Sequence, residues 1–498
     1  MATRLPRPLL RGALGVVACG HPLAASVAIG AFRDGGGAVD AALAAAAALA
    51  VLKPEACGLG GDAFLLVRAP DGNVTALNGS GAAGAGVSPP LPRDGAATAA
   101  VPGFVAALDD ARARFARLPL ERLLDPAVSL AGGGFPVDGE LLREVADNRD
   151  VLERWAPGFA LLSPQLRPGG LLRQPALAGL LQRVGRAGRF SFYEGTCAEA
   201  IERAATAAGG SLTAGDLAAH TTVVREPIGA SHRGLELTLQ PPVSQALLAA
   251  MALDALERSG VATPAERAHT AVEAIEAAFA YRNEVAAGGA ERRLLEERLE
   301  IDRDRARRRG GPTGGLHTTS VATADASGTV VSMLVSVYDL FGCGVLVPEG
   351  GFLLNDRLAR CATDPASPNY PRAGRRPVHT LSPALVGDGR RSFALTTPGG
   401  DGQVQTLVQL IDALAFDGVP LPVALDRPRW RSSEGSLAIE DDYEPDVVAE
   451  LERRGHELVR MPAGSPSFGA AVAAGIDALT GTPFAASDPR GGAWAAAC

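Results

Sequence analysis

Apolar and polar positions run through this chain in two rhythms. In the first half, leucine, valine and alanine recur at three- and four-residue spacing, the period of a helix with one buried face. That spacing predicts helices over 36–52, 101–117, 120–132, most of 139–205, 243–260 and 264–286, after a short strand and helix within 13–35. Short strands interrupt them at 63–68, 74–78 and 234–239, bounded by Gly, Pro and Asp turn residues. From residue 318 the rhythm changes. Two β-branched apolar runs, 318–324 and 329–337, flank Asp325-Ala326-Ser327-Gly328, an insert suited to a tight hairpin because Gly accepts φ > 0. Beyond an irregular stretch come two strands joined by Gly-Asp-Gly, then a Gly-rich turn into a helix at 404–414. A helix at 446–454, a strand near Leu458 and a closing strand-turn-strand complete the pattern. Helices gathered early and strands late suit a mixed, layered α/β protein with no internal repeat.

The hairpin follows a contrasting stretch. Residues 291–309 mix charges of both signs with few apolar positions, which reads as a solvated face or mobile loop, and the run to His317 is breaker-rich. Thr318 therefore opens a buried strand just past an exposed connection. Two readings fit. A Thr-Thr pair at a strand start is ordinary β propensity. It is also the arrangement of a self-processing hydrolase, in which scission at His317–Thr318 places a free α-amine beside the Thr hydroxyl, supplying base and nucleophile from one residue.

Composition narrows the class. With 498 residues, 47% hydrophobic and 20% charged, the chain is a globular protein large enough for a substantial core. A net charge of −8 lacks the basic face that nucleic acid requires. Six cysteines fall without paired spacing, and seven dispersed histidines form no ligand pattern, so neither a disulfide framework nor a metal or organic cofactor is expected. The apolar run at 38–52 contains Asp40 and is mostly Ala, unlike a membrane span. The N-terminus is broken by Pro6, Pro8 and Arg11 and lacks a signal-type apolar core, which reads as a cytoplasmic protein.

Two glycine clusters differ in what they offer. Gly58-Leu59-Gly60-Gly61 precedes a strand, with no Lys-Ser/Thr after it, so it reads as a tight turn rather than a phosphate loop. Pro398-Gly399-Gly400-Asp401-Gly402 runs from a strand into a helix and gathers backbone N–H groups at a helix start, where an anion or oxyanion is favoured.

The blocks that carry a resemblance are collinear over the chain. They are GVVACGHPLAASVAIGAFRDGGGAVDAALAAAAALAVLKPEACGLGGDAFLLV, VPGFVAAL, PLERLLDPAVSLAGGGFPV, LTAGDLAAH, LQPPVSQALLAAMAL, FGCGVLVPEGGFLLND, RRPVHTLSPALV, PGGDGQVQ and ASDPRGG. Together they resemble the γ-glutamyltranspeptidase family of N-terminal-nucleophile hydrolases. The resemblance implies a four-layer αββα sandwich, a large-subunit portion 1–317 and a small-subunit portion 318–498 that together make one unit and remain each other's partner. It implies Thr318 as nucleophile, Ser336 as its supporting hydroxyl, and Gly399 and Gly400 as the oxyanion pair.

The departures are as informative. Where the family holds a γ-glutamyl carboxylate with an Arg, this chain reads LNGSGAAGAG, with Ser80 near the expected place. Arg360 stands where an acid holds the α-ammonium, Tyr338 replaces an Asn, and His379-Thr380 replace paired serines. A γ-glutamyl substrate would lose about 2–5 kcal/mol by such changes. The pattern resembles a branch that includes oxamate-amidohydrolase-like members. In that reading Arg357 grips a substrate carboxylate as a fork, with a structural salt bridge as its alternative, and His379 is either a substrate contact or a packed histidine. Thr380, Tyr338 and Asp401 complete the substrate-side set, Asp401 also being placed to cap the following helix. Hydrolysis of a small carboxylate-bearing amide or acyl compound is the expected activity. γ-Glutamyl transfer, hydrolysis of a C–C bond to release an oxalyl-type group, and an unprocessed binding homologue are the alternatives. The sequence leaves a homo-oligomer open.

Overall fold

A computed structural model describes residues 6–92, 94–312 and 317–498 of the chain. The last residues of the breaker-rich connection before His317, and the first five of the chain, lie outside the described residues. Two seven-stranded sheets stack face to face. One runs in the order Trp494–Ala497, Gly15–Cys19, Thr319–Asp325, Val330–Ser336, Asp62–Arg68, Val74–Gly79, Val223–Arg225. The other runs Leu10–Arg11, Thr482–Ser487, Val472–Asp477, Arg391–Thr396, Ala384–Gly387, Leu235–Leu239, Ile228–His232. Strands from both sides of residue 317 contribute to each sheet, so neither portion owns a sheet.

Side-chain alternation along the strands builds the layers. On the Thr319–Asp325 strand, Ala322 and Ala324 face the second sheet, sharing a core with Leu385, Ala394, Val472 and Ala474. Val321 faces the other way, into a core with Leu43, Ala47 and Val51 of the helix Ala38–Leu52. That helix is buried along its whole length, which only a run of alanines at this density permits. The second sheet's outer face packs against Ala246–Ser259, Pro264–Phe279 and Gly402–Phe416. Helix, sheet, sheet, helix is the expected αββα order.

Two acids fix the start of the central helix, one of them from the hairpin. Asp325 Oδ2 accepts from Ala38 N at 2.7 Å, while its Oδ1 accepts from Ser327 N at 2.9 Å inside the turn. Asp40 accepts from Gly37 N at 2.8 Å and from Leu118 N at 2.8 Å, which explains a buried carboxylate in an alanine helix. Gly328 at φ 94 supplies the left-handed turn expected of it.

Helix ends differ from the sequence-based boundaries by a few residues. The stretch 291–309, expected as a solvated face or loop, is helical only as far as Leu295, the end of Ala290–Leu295. The rest is irregular but anchored: Arg307 N and Arg309 Nη1 both reach Glu273, at 2.9 Å each. Charges that lacked helical spacing found partners across space instead.

Candidate functional site

Thr318 lies at the end of the sandwich, directly before the strand Thr319–Asp325 and beside the last residue of Val330–Ser336. Thr318 Oγ1 is 3.2 Å from Ser336 Oγ and 2.7 Å from the carbonyl oxygen of His317. Ser336 Oγ also donates to that carbonyl at 3.2 Å and accepts from Tyr338 N at 2.9 Å. Gln403 Nε2, from the first turn of Gly402–Phe416, sits 3.5 Å from Thr318 Oγ1. Two hydroxyls and an amide thus converge on the peptide group expected to be cut. Ser336 is held from behind: a Cβ on Gly61 would lie 2.3 Å from Ser336 O, so position 61 is glycine because the strand end passes against it.

The Gly399-Gly400 loop joins the strand Arg391–Thr396 to the helix Gly402–Phe416, with φ of 126° and 55° at the two glycines. Its Pro398 lines a chamber of about 160 Å³ together with Thr318. Arg431 lies against the loop, its Nη1 3.1 Å from where a Cβ on Gly402 would stand, and donates to Ser467 O at 3.1 Å.

Arg357, Tyr338, His379 and Thr380 meet in a second cluster reached through Ser336. Arg357 is buried, with Nε donating to Asp62 Oδ2 at 3.0 Å and Nη1 3.4 Å from Thr380 Oγ1. Its guanidinium lies 4.3 Å over the Tyr338 ring, and Nη2 has no partner among the described residues. The fork is thus half committed to a salt bridge. His379 is fully buried, its ring tilted against Phe64 with centroids 4.4 Å apart. Leu381 N donates to its Nδ1 at 3.2 Å, so Nε2 carries the proton and donates to Asp62 Oδ2 at 2.9 Å. Burial, then the Arg357 charge, push the imidazole down to about 4, which keeps it neutral. Burial works to raise the Asp62 carboxyl, but its bonds to His379 and Arg357 outweigh that and hold it below the usual carboxylate range. His379 is a packed histidine here, and the partner it serves is Asp62.

Asp401 does not cap its helix. It makes no capping bond, and its Oδ1 lies 3.5 Å from Arg282 Nε. The nearby cation outcompetes a backbone N–H for a buried carboxylate. Arg282 and Asp62 escaped the sequence reading. For Asp62 a signal existed, an acid opening an otherwise apolar strand in GGDAFLLV. Arg282 offered none beyond a lone Arg at the end of an apolar helix. Arg360, set against the family's acid, is partly exposed, and Ser80 Oγ turns inward to Asn78 Oδ1 at 2.6 Å. Among the described residues no His/Cys/Asp/Glu group could hold a metal, and no helix is long and apolar enough to cross a membrane.

An αββα sandwich with a Thr opening a central strand is the architecture of an N-terminal-nucleophile hydrolase. The family model for gamma-glutamyltranspeptidase matches residues 24–498, and the chain belongs to that family. It is 34% identical to an oxamate amidohydrolase proenzyme of Klebsiella pneumoniae, over 96% of this chain and 97% of that protein. A Pseudomonas acylase ACY 1 proenzyme is 31% identical, over 95% and 90% of the two chains. The glutathione hydrolase proenzyme of Escherichia coli is 28% identical, over 97% and 91%. Among solved structures, a cephalosporin acylase from Bacillus halodurans superposes with a TM-score of 0.90 at 29% identity, covering 100% of this chain and 98% of that one. The relatives are hydrolases made as proenzymes, and this chain is a hydrolase of their family.

Proposed function

We propose that the chain cuts itself at His317–Thr318 and then hydrolyses a small carboxylate-bearing amide or acyl compound, with Thr318 as nucleophile. In the first reaction Thr318 Oγ bonds to the His317 carbonyl carbon as the C–N bond breaks, giving an ester and a free amine. Water then hydrolyses the ester, leaving a carboxylate on His317. In the second, the Thr318 hydroxyl proton passes to the new α-amine as Oγ attacks the substrate carbonyl. Electrons of the C=O bond move onto oxygen, facing the Gly399 and Gly400 N–H groups, a placement that in other hydrolases is worth about a hundred- to a thousandfold in rate per donor. The ammonium returns its proton to the leaving amine, and water releases the acyl group. The observation that carries this reading is the Thr318 hydroxyl 3.2 Å from Ser336 Oγ and 2.7 Å from the carbonyl oxygen of the scissile group.

The substrate class rests on charge. Arg357 Nη2 is without a partner among the described residues, which leaves one edge of a buried guanidinium for an anionic group. The name of the Klebsiella relative points to the same kind of substrate. A denaturing gel of purified protein is expected to show fragments 1–317 and 318–498, with Thr318→Ala remaining whole. Assay of the cut enzyme with oxamate, a γ-glutamyl anilide and α-keto acids is expected to favour the first. An uncut chain that turns over any of them would overturn the mechanism.

A further inference from the structure

The chamber beside Thr318 has a wall that the mechanism above does not use. Lys53 and Glu55, in the turn after the helix Ala38–Leu52, line it together with His317, Thr319 and Ser320. Lys53 Nζ and Glu55 Oε1 are 2.9 Å apart, and the Glu55 side chain is 7% exposed. The turn is fixed by the chain that follows Ser336: Val337 N donates to Ala56 O at 3.0 Å and Phe341 N to Glu55 O at 2.8 Å. One rigid unit therefore carries both the supporting hydroxyl and this ion pair.

Three polar atoms of residues on this wall are buried without partners among the described residues: Glu55 Oε2, Thr319 Oγ1 and Ser320 Oγ. A buried acceptor left unbonded costs roughly 1–3 kcal/mol. A carboxylate oxygen accepts and does not donate, so Glu55 Oε2 lacks a donor among the described residues of the uncut chain. Scission supplies one. The Thr318 nitrogen, an amide before the cut, becomes an amine with new N–H groups on the wall of a chamber of about 160 Å³. That space is comparable to a cavity of roughly 150 Å³ that holds a benzene.

We propose that Glu55, paired with Lys53, is the positioning group for the α-amine that scission creates, accepting an N–H from it and setting the pH at which it serves as base. The proposal rests on Thr318 being the nucleophile, as proposed above. Glu55 takes no proton. It stabilises the ammonium that forms when the hydroxyl proton moves to the amine, while Lys53 opposes that charge and keeps the resting amine neutral. The other charged groups facing this region are Glu140 and Glu144 of the helix Gly139–Asp147 and, from the side of the glycine loop, Arg431. His317 stands between Lys53 and Arg431, and its imidazole is held down at about 4 by burial first and by those two cations next. Burial, then Glu140 and Glu55, push the Glu144 carboxyl up, the mark of an acid-rich rim.

The test titrates the new N-terminus directly and needs no substrate. Cut protein is treated with a trace of labelled acetic anhydride over a range of pH, and labelling of the peptide beginning at Thr318 is read by mass spectrometry. An opposite charge within 4–6 Å moves a titration by roughly 1–3 pH units, and each member of an ion pair offsets the other. Glu55→Gln is therefore expected to lower the midpoint for the Thr318 amine by about one pH unit, and Lys53→Met to raise it by about as much. Glu55→Asp should restore the wild-type midpoint in part. The acid limb of kcat/KM should move with the amine in each variant. Midpoints unmoved in variants that are cut normally would overturn the proposal, as would failure of both Glu55→Gln and Lys53→Met to be cut, which would assign the pair to scission or folding. A wild-type chain that is never cut has no peptide beginning at Thr318 and instead sinks the nucleophile assignment itself.

Discussion

Arg357→Met separates a strut from a clamp. The Arg357 side chain is 1% exposed and its Asp62 partner is fully buried, 3.0 Å away. Removing the guanidinium leaves the carboxylate with His379 alone, at 2.9 Å. Breaking a buried pair from one side costs about 3–5 kcal/mol, because the surviving charge keeps its desolvation penalty. Tyr338 also loses a cation 4.3 Å from its ring, a contact worth about 1–2 kcal/mol when dry. The two losses overlap, so about 4 kcal/mol is expected in all. The measurement is urea unfolding in a Thr318→Ala background, where a single uncut chain unfolds and fragment release does not intrude. Asp62→Asn alone should also destabilise, and the double variant should fall short of the sum by about 2 kcal/mol. A loss below about 1 kcal/mol for Arg357→Met, or strict additivity with Asp62→Asn, would refute the strut. If Nη2 also meets substrate, KM for oxamate rises in Arg357→Met beyond what the lost stability explains, while a neutral acyl anilide keeps its KM.

Two other perturbations probe the site and the core. Gly399 at φ 126° occupies backbone space that a side chain avoids, whereas Gly400 at 55° sits in the left-handed well. Gly399→Ala is expected to cost about 1–3 kcal/mol in strain relieved by swinging an N–H off the oxyanion, cutting kcat about a hundredfold, and Gly400→Ala should cost much less. Comparable kcat values in the two would argue against an oxyanion role for Gly399. Acid should destabilise the fold early. His21, His317, His379 and His456 are each pushed down to about 4 by burial first, so between about 6.5 and 4 the unfolded chain binds protons that the folded chain refuses. Stability therefore falls as pH drops through that window, by up to about 3 kcal/mol for one fully buried histidine. The Asp62 pair is lost only further down, as its lowered carboxyl protonates. An unfolding midpoint that stays flat from pH 7.5 to 4.5 would contradict this.

What the sequence disclosed follows from how local each feature is. The hairpin at 325–328 and the alanine helix were legible because their patterns are contiguous and their turn residues specific. The Thr318–Ser336 pair came from the resemblance, and the ladder accounts for it: Thr319 pairs with Val335, so Thr318 falls beside Ser336. Lys53, Glu55, Asp62 and Arg282 were not legible as site residues. Each reaches the site by a contact remote in sequence, as Asp62 to Arg357 shows. Asp401 shows the limit of local rules, since a cap position next to a helix is a good prior that a buried guanidinium 3.5 Å away overrides.

That relocation of charge argues the substrate question further than any single residue does. A γ-glutamyl group brings an α-carboxylate and an α-ammonium together, so its pocket needs a cation and an anion at fixed separation. Here Ser80, near the expected cation position, is turned to Asn78, and Arg360, at the anion position, offers its carbonyl oxygen to Arg282 Nη1 at 3.4 Å. Arg282 in turn spends its Nε on Asp401, the carboxylate that could have met an ammonium. With that acid paired, Arg357 Nη2 is left without a partner among the described residues. The anion proposed above, with no ammonium beside it, would use that edge. An amino acid would bring a positive charge to a place where its counter-ion is already taken, at a cost of the order of the 2–5 kcal/mol that follows from stranding one member of a buried pair.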